Sequence, residues 1–192
     1  AESGCTFTVE RRTSKTRATS EKLARVSLQQ PGEFNVRNAL AAVAAAVEAG
    51  VPPKQAAEAL EGFQGVKRRQ ELRGIAGGVF VLDDFAHHPT AIAETLRAVR
   101  QRNPARKVWA VLEPRSWSLR RNVFQEQLAA AFTEADHVLV APVYHAADLD
   151  PSQRLDVARL IATLRAQGTD AVALAGVDPI VEKVAAGAAD GD

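Results

Sequence analysis

A few short stretches of this chain hold the residue types that do chemistry. The first is Asp83-Asp84-Phe85-Ala86-His87-His88-Pro89, two acids and two histidines closing an apolar run. Carboxylates at the end of a buried strand must be hydrogen-bonded or paired, because an isolated buried charge is costly. Asp84, His87 and His88 could in principle ligate a metal. Adjacent histidines diverge in direction, however, and no further Cys, His or carboxylate at ligand spacing completes a set, so no metal site is expected. Taken singly, these residues have a structural alternative: His88 caps the helix that Pro89 opens, and Asp83 pairs with an arginine. The second stretch, Glu113-Pro114-Arg115-Ser116-Trp117-Ser118, presents Arg115, whose planar fork suits a carboxylate or phosphate better than lysine would. Its alternative is an ion pair with Glu113 or Asp84. The third, Lys67-Arg68-Arg69, is either a solvated charge run or part of a ligand cleft at a domain junction. There is no G-x-x-x-x-G-K-[ST] or G-x-G-x-x-G phosphate loop and no G-x-S-x-G nucleophile elbow, and Cys5 has no catalytic setting.

The elements that must position these residues can be read from periodicity and turn signals. Residues 6 to 30 alternate poorly and are expected to form a solvated hairpin carrying the basic run Arg11, Arg12, Lys15 and Arg17. A phosphate-binding arm is the alternative for that run, although nothing aromatic is interleaved. Asn35 to Ala49 reads as a buried helix closed by Gly50, and Pro52-Pro53 opens a second helix to about Phe63. Residues 70–76 and 79–84 flank Gly77-Gly78, the composition of a two-residue hairpin turn. Strands at 79–84, 107–112, 137–141 and 170–174 then alternate with helices at 89–102, 121–133, 156–167 and from Pro179 to about Ala186. This alternation predicts an α/β fold, a mostly parallel sheet covered by helices with one antiparallel strand added by the hairpin. Ligands of such sheets bind outside the carboxyl ends of the strands, where the loops beginning at Asp83, Glu113 and Ala141 lie. The third, Ala141-Pro142-Val143-Tyr144-His145, is the poorest in chemistry.

Composition sets the outer bounds. The 192 residues carry 24 Lys and Arg against 23 Asp and Glu, a net charge of +1, and 46% are hydrophobic. That is enough chain to bury a core without metals or disulfides, and the charge balance argues against a general nucleic-acid binder. The balance conceals an asymmetry: residues 1–121 hold 20 basic and 12 acidic residues, residues 122–192 only 4 and 11. Anionic ligands would be sought in the first portion. A single cysteine favours a reducing cytoplasm, and no apolar run approaches a membrane span. The chain has no methionine, even at position 1, and stops at Asp190-Gly191-Asp192 where the rhythm asks for another strand. It is therefore expected to be a piece of a longer protein, with its last strand truncated.

The strings Gly32-Glu33-Phe34-Asn35-Val36-Arg37-Asn38-Ala39-Leu40, Gly65-Val66-Lys67-Arg68-Arg69 and Asp83-Asp84-Phe85-Ala86-His87-His88-Pro89-Thr90 resemble the Mur ligase family of peptidoglycan synthesis. Glu113-Pro114-Arg115-Ser116, with Phe85 where muramate–alanine ligases usually have Tyr, resembles the murein peptide ligase branch. The resemblance runs from about residue 30 to 192. It implies that residues 1–66 are a helical and strand remnant of the central ATPase domain and residues 67–192 a Rossmann-like C-terminal domain. It further implies a bacterial cytoplasmic, ATP-dependent ligase of cell-wall biogenesis. The reaction joins L-alanyl-γ-D-glutamyl-meso-diaminopimelate to UDP-N-acetylmuramate through an acyl phosphate, a step of peptidoglycan recycling. Ligation of free L-alanine to UDP-N-acetylmuramate is the alternative, and a nucleotide- or peptide-binding module without catalysis is another.

Position by position, the resemblance places Asn35, Asn38, Arg69 and Asp84 at ATP. His87 and Arg115 would hold the incoming amino acid or peptide, with Phe85, His88 and Ser116 lining its pocket. Two positions depart from the pattern: Phe34, where the family usually has His, and Trp117, where that branch commonly has Asn. The phosphate loop and the Mg2+ ligands are expected outside this chain, so it would contribute no main catalytic residue and no metal ligand. The isolated chain is expected to lack ligase activity. Nucleic acid and membrane are not expected partners.

Overall fold

The computed structural model describes residues 4–13 and 19–192. Of the basic run in the first hairpin, Lys15 and Arg17 lie outside the described residues. The chain divides into two compact units, residues 1–66 and 67–192.

In the first unit, β1 (Cys5–Arg12) and β2 (Ser20–Leu28) pair antiparallel, with Cys5 opposite Leu28 and an irregularity at Val9/Glu10. Strand pleating sends alternate side chains to one face. Val9, Val26 and Leu28 are buried there against Ala39 and Val43 of α1 (Glu33–Glu48) and Ala56 and Ala57 of α2 (Pro53–Glu61), with Phe7 packed beside them. The hairpin is thus half buried rather than solvated. Its alternation runs through Cys5, Phe7 and Val9, and the threonines between them dilute the pattern. Helix α1, expected to be buried, covers the unit with one face only: Ala39 and Val43 are buried, whereas Leu40 is 45% exposed. Gly50 adopts φ 91°, the left-handed conformation that ends the helix.

The second unit begins with β3 (Glu71–Ala76) and β4 (Val79–Asp83), joined at Gly77 and Gly78 with φ of 55° and 79°. Positive φ at both central residues suits the twist of a two-residue hairpin. Helix α3 (Pro89–Arg102) leads to β5 (Trp109–Leu112). A 3-10 turn at Asn122–Phe124 and α4 (Gln125–Ala130) lead to β6 (His137–Val140). Then follow α5 (Val157–Ala166), β7 (Asp170–Ala173) and α6 (Val177–Gly187). Strands β5, β6 and β7 form a parallel sheet in that order, in register Trp109, His137, Asp170. Val138 and Val140 of the sheet and Leu128, Leu160 and Leu164 of the helices are fully buried in its core. Each such leucine contributes roughly 1.5–3 kcal/mol relative to exposure. Gln125 ties α4 to α5, donating to the Asp156 carbonyl and accepting from the Asp156 N–H.

One expectation is corrected. β4 does not join the parallel sheet, so the hairpin β3–β4 stands as a separate two-stranded ribbon. A largely apolar cleft of about 310 Å³ lies between β4 and β5, lined by Phe80, Val81, Trp109 and Val111 among others. The Phe80 N–H donates to the Asp192 carbonyl at 3.1 Å instead of to a β5 neighbour, and the Trp109 indole N–H donates to the Asp192 carboxylate at 3.1 Å. Asp192 thus accepts one hydrogen bond from β4 and one from β5.

Candidate functional site

The loops at the carboxyl ends of β4, β5 and β6 carry the chemistry. After β4, the Asp84 carboxylate accepts from two backbone amides, Ala86 N–H at 2.7 Å and Gln70 N–H at 2.9 Å. It thereby fixes both its own loop and the segment 68–71. That segment is strained: Arg68 and Gln70 have φ of 57° and 50° without being glycines. Left-handed backbone costs such residues roughly 1–2 kcal/mol apiece. Further contacts hold it in place. The Arg68 N–H donates to the Glu71 carboxylate at 2.8 Å, and the Arg68 carbonyl accepts from Phe85 N–H at 2.8 Å. The Arg68 amide, with the Arg73 guanidinium, holds the Glu71 carboxyl below its ordinary value. Between the two strained residues, Arg69 is exposed.

Arg68 also pairs with Asp83 at 3.4 Å and lies over the Phe85 ring at 4.9 Å from its centroid. His87 is exposed, with Nδ1 3.0 Å from the Phe85 carbonyl. His88 caps α3: its Nδ1 accepts from Thr90 N–H at 3.3 Å, and its ring meets the Phe124 ring edge-on at 4.5 Å. The residue-by-residue alternative is therefore what the structure shows for Asp83 and His88.

After β5, Arg115 is largely exposed. Its partner is Glu113 at 3.6 Å, too long for a hydrogen bond, and its guanidinium sits 4.1 Å from the centroid of Tyr144. Ser116 has a local task, its hydroxyl accepting from Leu119 N–H at 3.2 Å. After β6, the Tyr144 N–H donates to the Pro114 carbonyl at 3.1 Å, so the second and third loops are joined. His145, left-handed at φ 48°, stacks beside Tyr144 and approaches Asp148 at 3.1 Å.

The structure thus gathers Asp84, Phe85, His87 and His88 in one loop and Arg115 and Ser116 in the next, linked by the contact of His88 with Phe124. Asn35 and Asn38 belong to the first unit, one helical turn apart on α1. Asn35 donates to the Pro31 carbonyl at 2.7 Å, and Asn38 is exposed. Sequence reasoning missed Tyr144 as the platform for Arg115. It also missed Arg120, Arg121 and Arg154, whose only sequence signal is the Arg-Arg pair that follows Trp117.

Among the described residues no group of three or more His, Cys, Asp or Glu is placed to hold a metal ion. Both Asp84 carboxylate oxygens already accept backbone amides. The donors present therefore do not fit Mg2+. For a nucleotide they offer exposed Arg69 but no glycine-rich phosphate cradle.

Residues 68–192 match the family model described as "Mur ligase, glutamate ligase domain". The chain belongs to the Mur ligase family. Its second unit has the α/β fold of the Mur ligase C-terminal domain, parallel sheet and antiparallel ribbon included. A murein peptide ligase from Psychrobacter arcticus is similar over 100% of this chain and 38% of its own, at 34% identity and a TM-score of 0.68. A UDP-N-acetylmuramate–alanine ligase from Thermotoga maritima covers 83% of this chain and 33% of its own, at 28% identity and a TM-score of 0.64. Among curated relatives, the UDP-N-acetylmuramate–L-alanine ligase of Desulfatibacillum aliphaticivorans is 39% identical over 152 residues, 79% of this chain and 33% of that protein. The ligase of the same name from Maricaulis maris is 39% identical over 191 residues, 99% of this chain and 40% of that protein. This Mur ligase chain thus spans two fifths or less of the curated relatives described. No helix among the described residues is long and apolar enough to cross a membrane.

Proposed function

We propose that the protein containing this chain is an ATP-dependent ligase of peptidoglycan assembly that joins UDP-N-acetylmuramate to an amine acceptor. Bound ATP with Mg2+ would supply the phosphoryl group that activates the muramoyl carboxylate. The chain's own residues position the acceptor. Amide formation concentrates negative charge on oxygen and depends on holding amine and carbonyl in line, so cations and alignment count for more than a strong acid or base. Arg115, exposed on its tyrosine platform with only a weak carboxylate partner, is free to take the acceptor's carboxylate. Phe85 and His87 flank that pocket, while His88 and Ser116 shape its loops. On the nucleotide side, strain at Arg68 and Gln70 presents Arg69, and backbone strain of this kind concentrates at functional sites. Asp84 would act there by fixing that segment. On the first unit taken by itself, Asn35 and Asn38 are proposed as ATP contacts.

The acceptor has two readings. Free L-alanine is the one carried by the names of the curated relatives, at 39% identity. The tripeptide L-alanyl-γ-D-glutamyl-meso-diaminopimelate is supported by Glu113-Pro114-Arg115-Ser116 and by the likeness to the Psychrobacter arcticus peptide ligase over 100% of this chain. Steady-state ligation by the full-length protein with each acceptor decides between them. A preference for tripeptide of tenfold or more in kcat/KM establishes the second reading, and a preference for alanine establishes the first. ATP-dependent ligation by the purified 192-residue chain would refute our proposal that this piece alone is inactive.

A further inference from the structure

Beside Arg115 lies a group of cations that form no ion pair among the described residues. Arg121 and Arg154 face each other in an antiparallel bridge, an arrangement that like charges disfavour. The guanidiniums of Arg120 and Arg121 stand 5.6 Å and 4.8 Å from the ring centroid of Trp117, which is 64% exposed. None of the three arginines forms an ion pair among the described residues, although nearly every neighbouring charged loop does. Their hydrogen bonds go to neutral oxygens: Arg120 to the Tyr144 carbonyl, Arg121 to the Gln153 side chain, Arg154 to the Leu149 carbonyl. The Nε atoms of Arg120 and Arg154 are buried without any acceptor. Arg154 also helps to lower the Asp150 carboxyl, after the Ser152 hydroxyl and amide that bind it, and Glu126 and Asp156 line the same surface pocket as Arg154. Two cations flank an exposed indole and a third faces one of them across a β-bridge, and two of the three have buried donors without an acceptor, an arrangement suited to an anion.

We propose that Trp117, Arg120, Arg121 and Arg154 bind the carboxylates that a peptide acceptor carries beyond the one held by Arg115. Tyr144 connects the two positions: its ring lies under Arg115 and its carbonyl accepts from Arg120. Free L-alanine has a single carboxylate and ends at Arg115. In the tripeptide the alanyl carboxyl is tied up in a peptide bond and all the carboxylates lie on the glutamyl and diaminopimelyl residues; with one of them at Arg115, the others would extend across Tyr144 onto the arginines. The inference rests on the ligase reading but derives its acceptor from the surplus of cations.

The test uses the full-length ligase with Arg121→Ala and Arg154→Ala, and with Arg154→Lys as the conservative variant. The expected result is a tripeptide KM raised at least tenfold in both alanine variants, kcat within twofold, and partial recovery with lysine. An unchanged KM overturns the proposal. Wild-type enzyme that ligates only L-alanine also overturns it, while leaving the ligase reading intact. If the wild type ligates neither acceptor, the ligase reading fails, and the patch is then judged by binding. Tripeptide should quench Trp117 fluorescence in wild type but not in Arg121→Ala, with Trp117→Phe identifying the signal. No quenching, or equal quenching by inorganic phosphate at the same concentration, overturns the carboxylate assignment.

Discussion

Replacing Arg115 by alanine separates the functional from the structural reading of the second loop, because its structural cost can be bounded. The side chain is 60% exposed, and its only anionic partner among the described residues, Glu113, lies at 3.6 Å. Exposed pairs of this kind contribute roughly 0–1 kcal/mol, and the stacking on Tyr144 adds about 0.5–1 kcal/mol. The variant should therefore unfold within a few degrees of the parent. If Arg115 holds the acceptor's carboxylate in the closed complex, its removal forfeits a charge-assisted hydrogen bond and leaves that carboxylate without its cation. This costs roughly 2–4 kcal/mol, or about 30- to 1000-fold at 1.4 kcal/mol per decade. The assay is steady-state ligation by the full-length enzyme, with acceptor varied at saturating ATP and then ATP varied at saturating acceptor. Acceptor KM should rise by that factor while ATP KM stays within twofold. Arg115→Lys keeps the charge but not the fork, and should recover only part of the loss. A folded Arg115→Ala enzyme with unchanged acceptor KM would return the residue to its pairing with Glu113, and an effect on ATP KM alone would place it on the nucleotide.

Asp84→Asn should destabilise the second unit by roughly 1–3 kcal/mol, because an amide nitrogen would then face one of the two backbone N–H groups the carboxylate accepts; a melting temperature equal to the parent's would contradict this. His88→Ala removes the cap of α3 and its ring contact with Phe124, so about 1 kcal/mol should be lost in thermal unfolding, with acceptor KM changed less than threefold. Asp136 joins α3 to the sheet, accepting from Val108 N–H at 2.7 Å and Arg100 at 2.5 Å. Burial works to raise its carboxyl, but the Val108 amide and Arg100 outweigh it and hold it below its ordinary 3.8. A depressed carboxyl stabilises the fold above the unfolded value and loses that contribution as pH falls through the lower folded one. Parent stability should therefore drop below about pH 4 more steeply than that of Asp136→Asn, and parallel melting curves from pH 5 to 3 would refute it.

Much of this fold was legible because its punctuation is local. Gly77-Gly78, Pro89, Gly50 and Gly168 mark turns and helix ends through their own backbone preferences, and each element boundary fell within a few residues of them. What could not be read was pairing. Strand β4 has the apolar composition of a sheet strand, but whether it bonds to β5 depends on groups far apart in sequence, and here the Asp192 carbonyl takes the Phe80 N–H. The same limit applies to the site. Asp83-Asp84 and Arg115 were visible as residue types, yet the tasks of Asp84, His88 and Ser116 depend on which backbone amide lies within reach. Arg154 could not be joined to Arg121 from sequence at all, since the two are far apart in the chain and meet only in an isolated β-bridge outside any strand.

The division of labour within these loops bears on mechanism. Asp84, His88 and Ser116 each have a polar atom engaged by a backbone N–H, so they fix loop shape and are poorly placed to carry protons. Among the described residues, Arg69, Arg115, Arg120, Arg121 and Arg154 have no hydrogen bond to a carboxylate. A general acid or base must meet the proton it moves within hydrogen-bonding reach; among the described residues His87 and His88 each engage Nδ1 with the backbone and leave Nε2 without a hydrogen-bond partner. Fixed loops bearing free cations suit binding and alignment of an anionic acceptor, not bond cleavage by the unit itself. For amide synthesis that is the larger need, since alignment and electrostatic stabilisation dominate once the carboxylate is activated. On the proposed reading the second unit positions the acceptor, and the charge it presents, more than any catalytic residue, would set which amine is chosen.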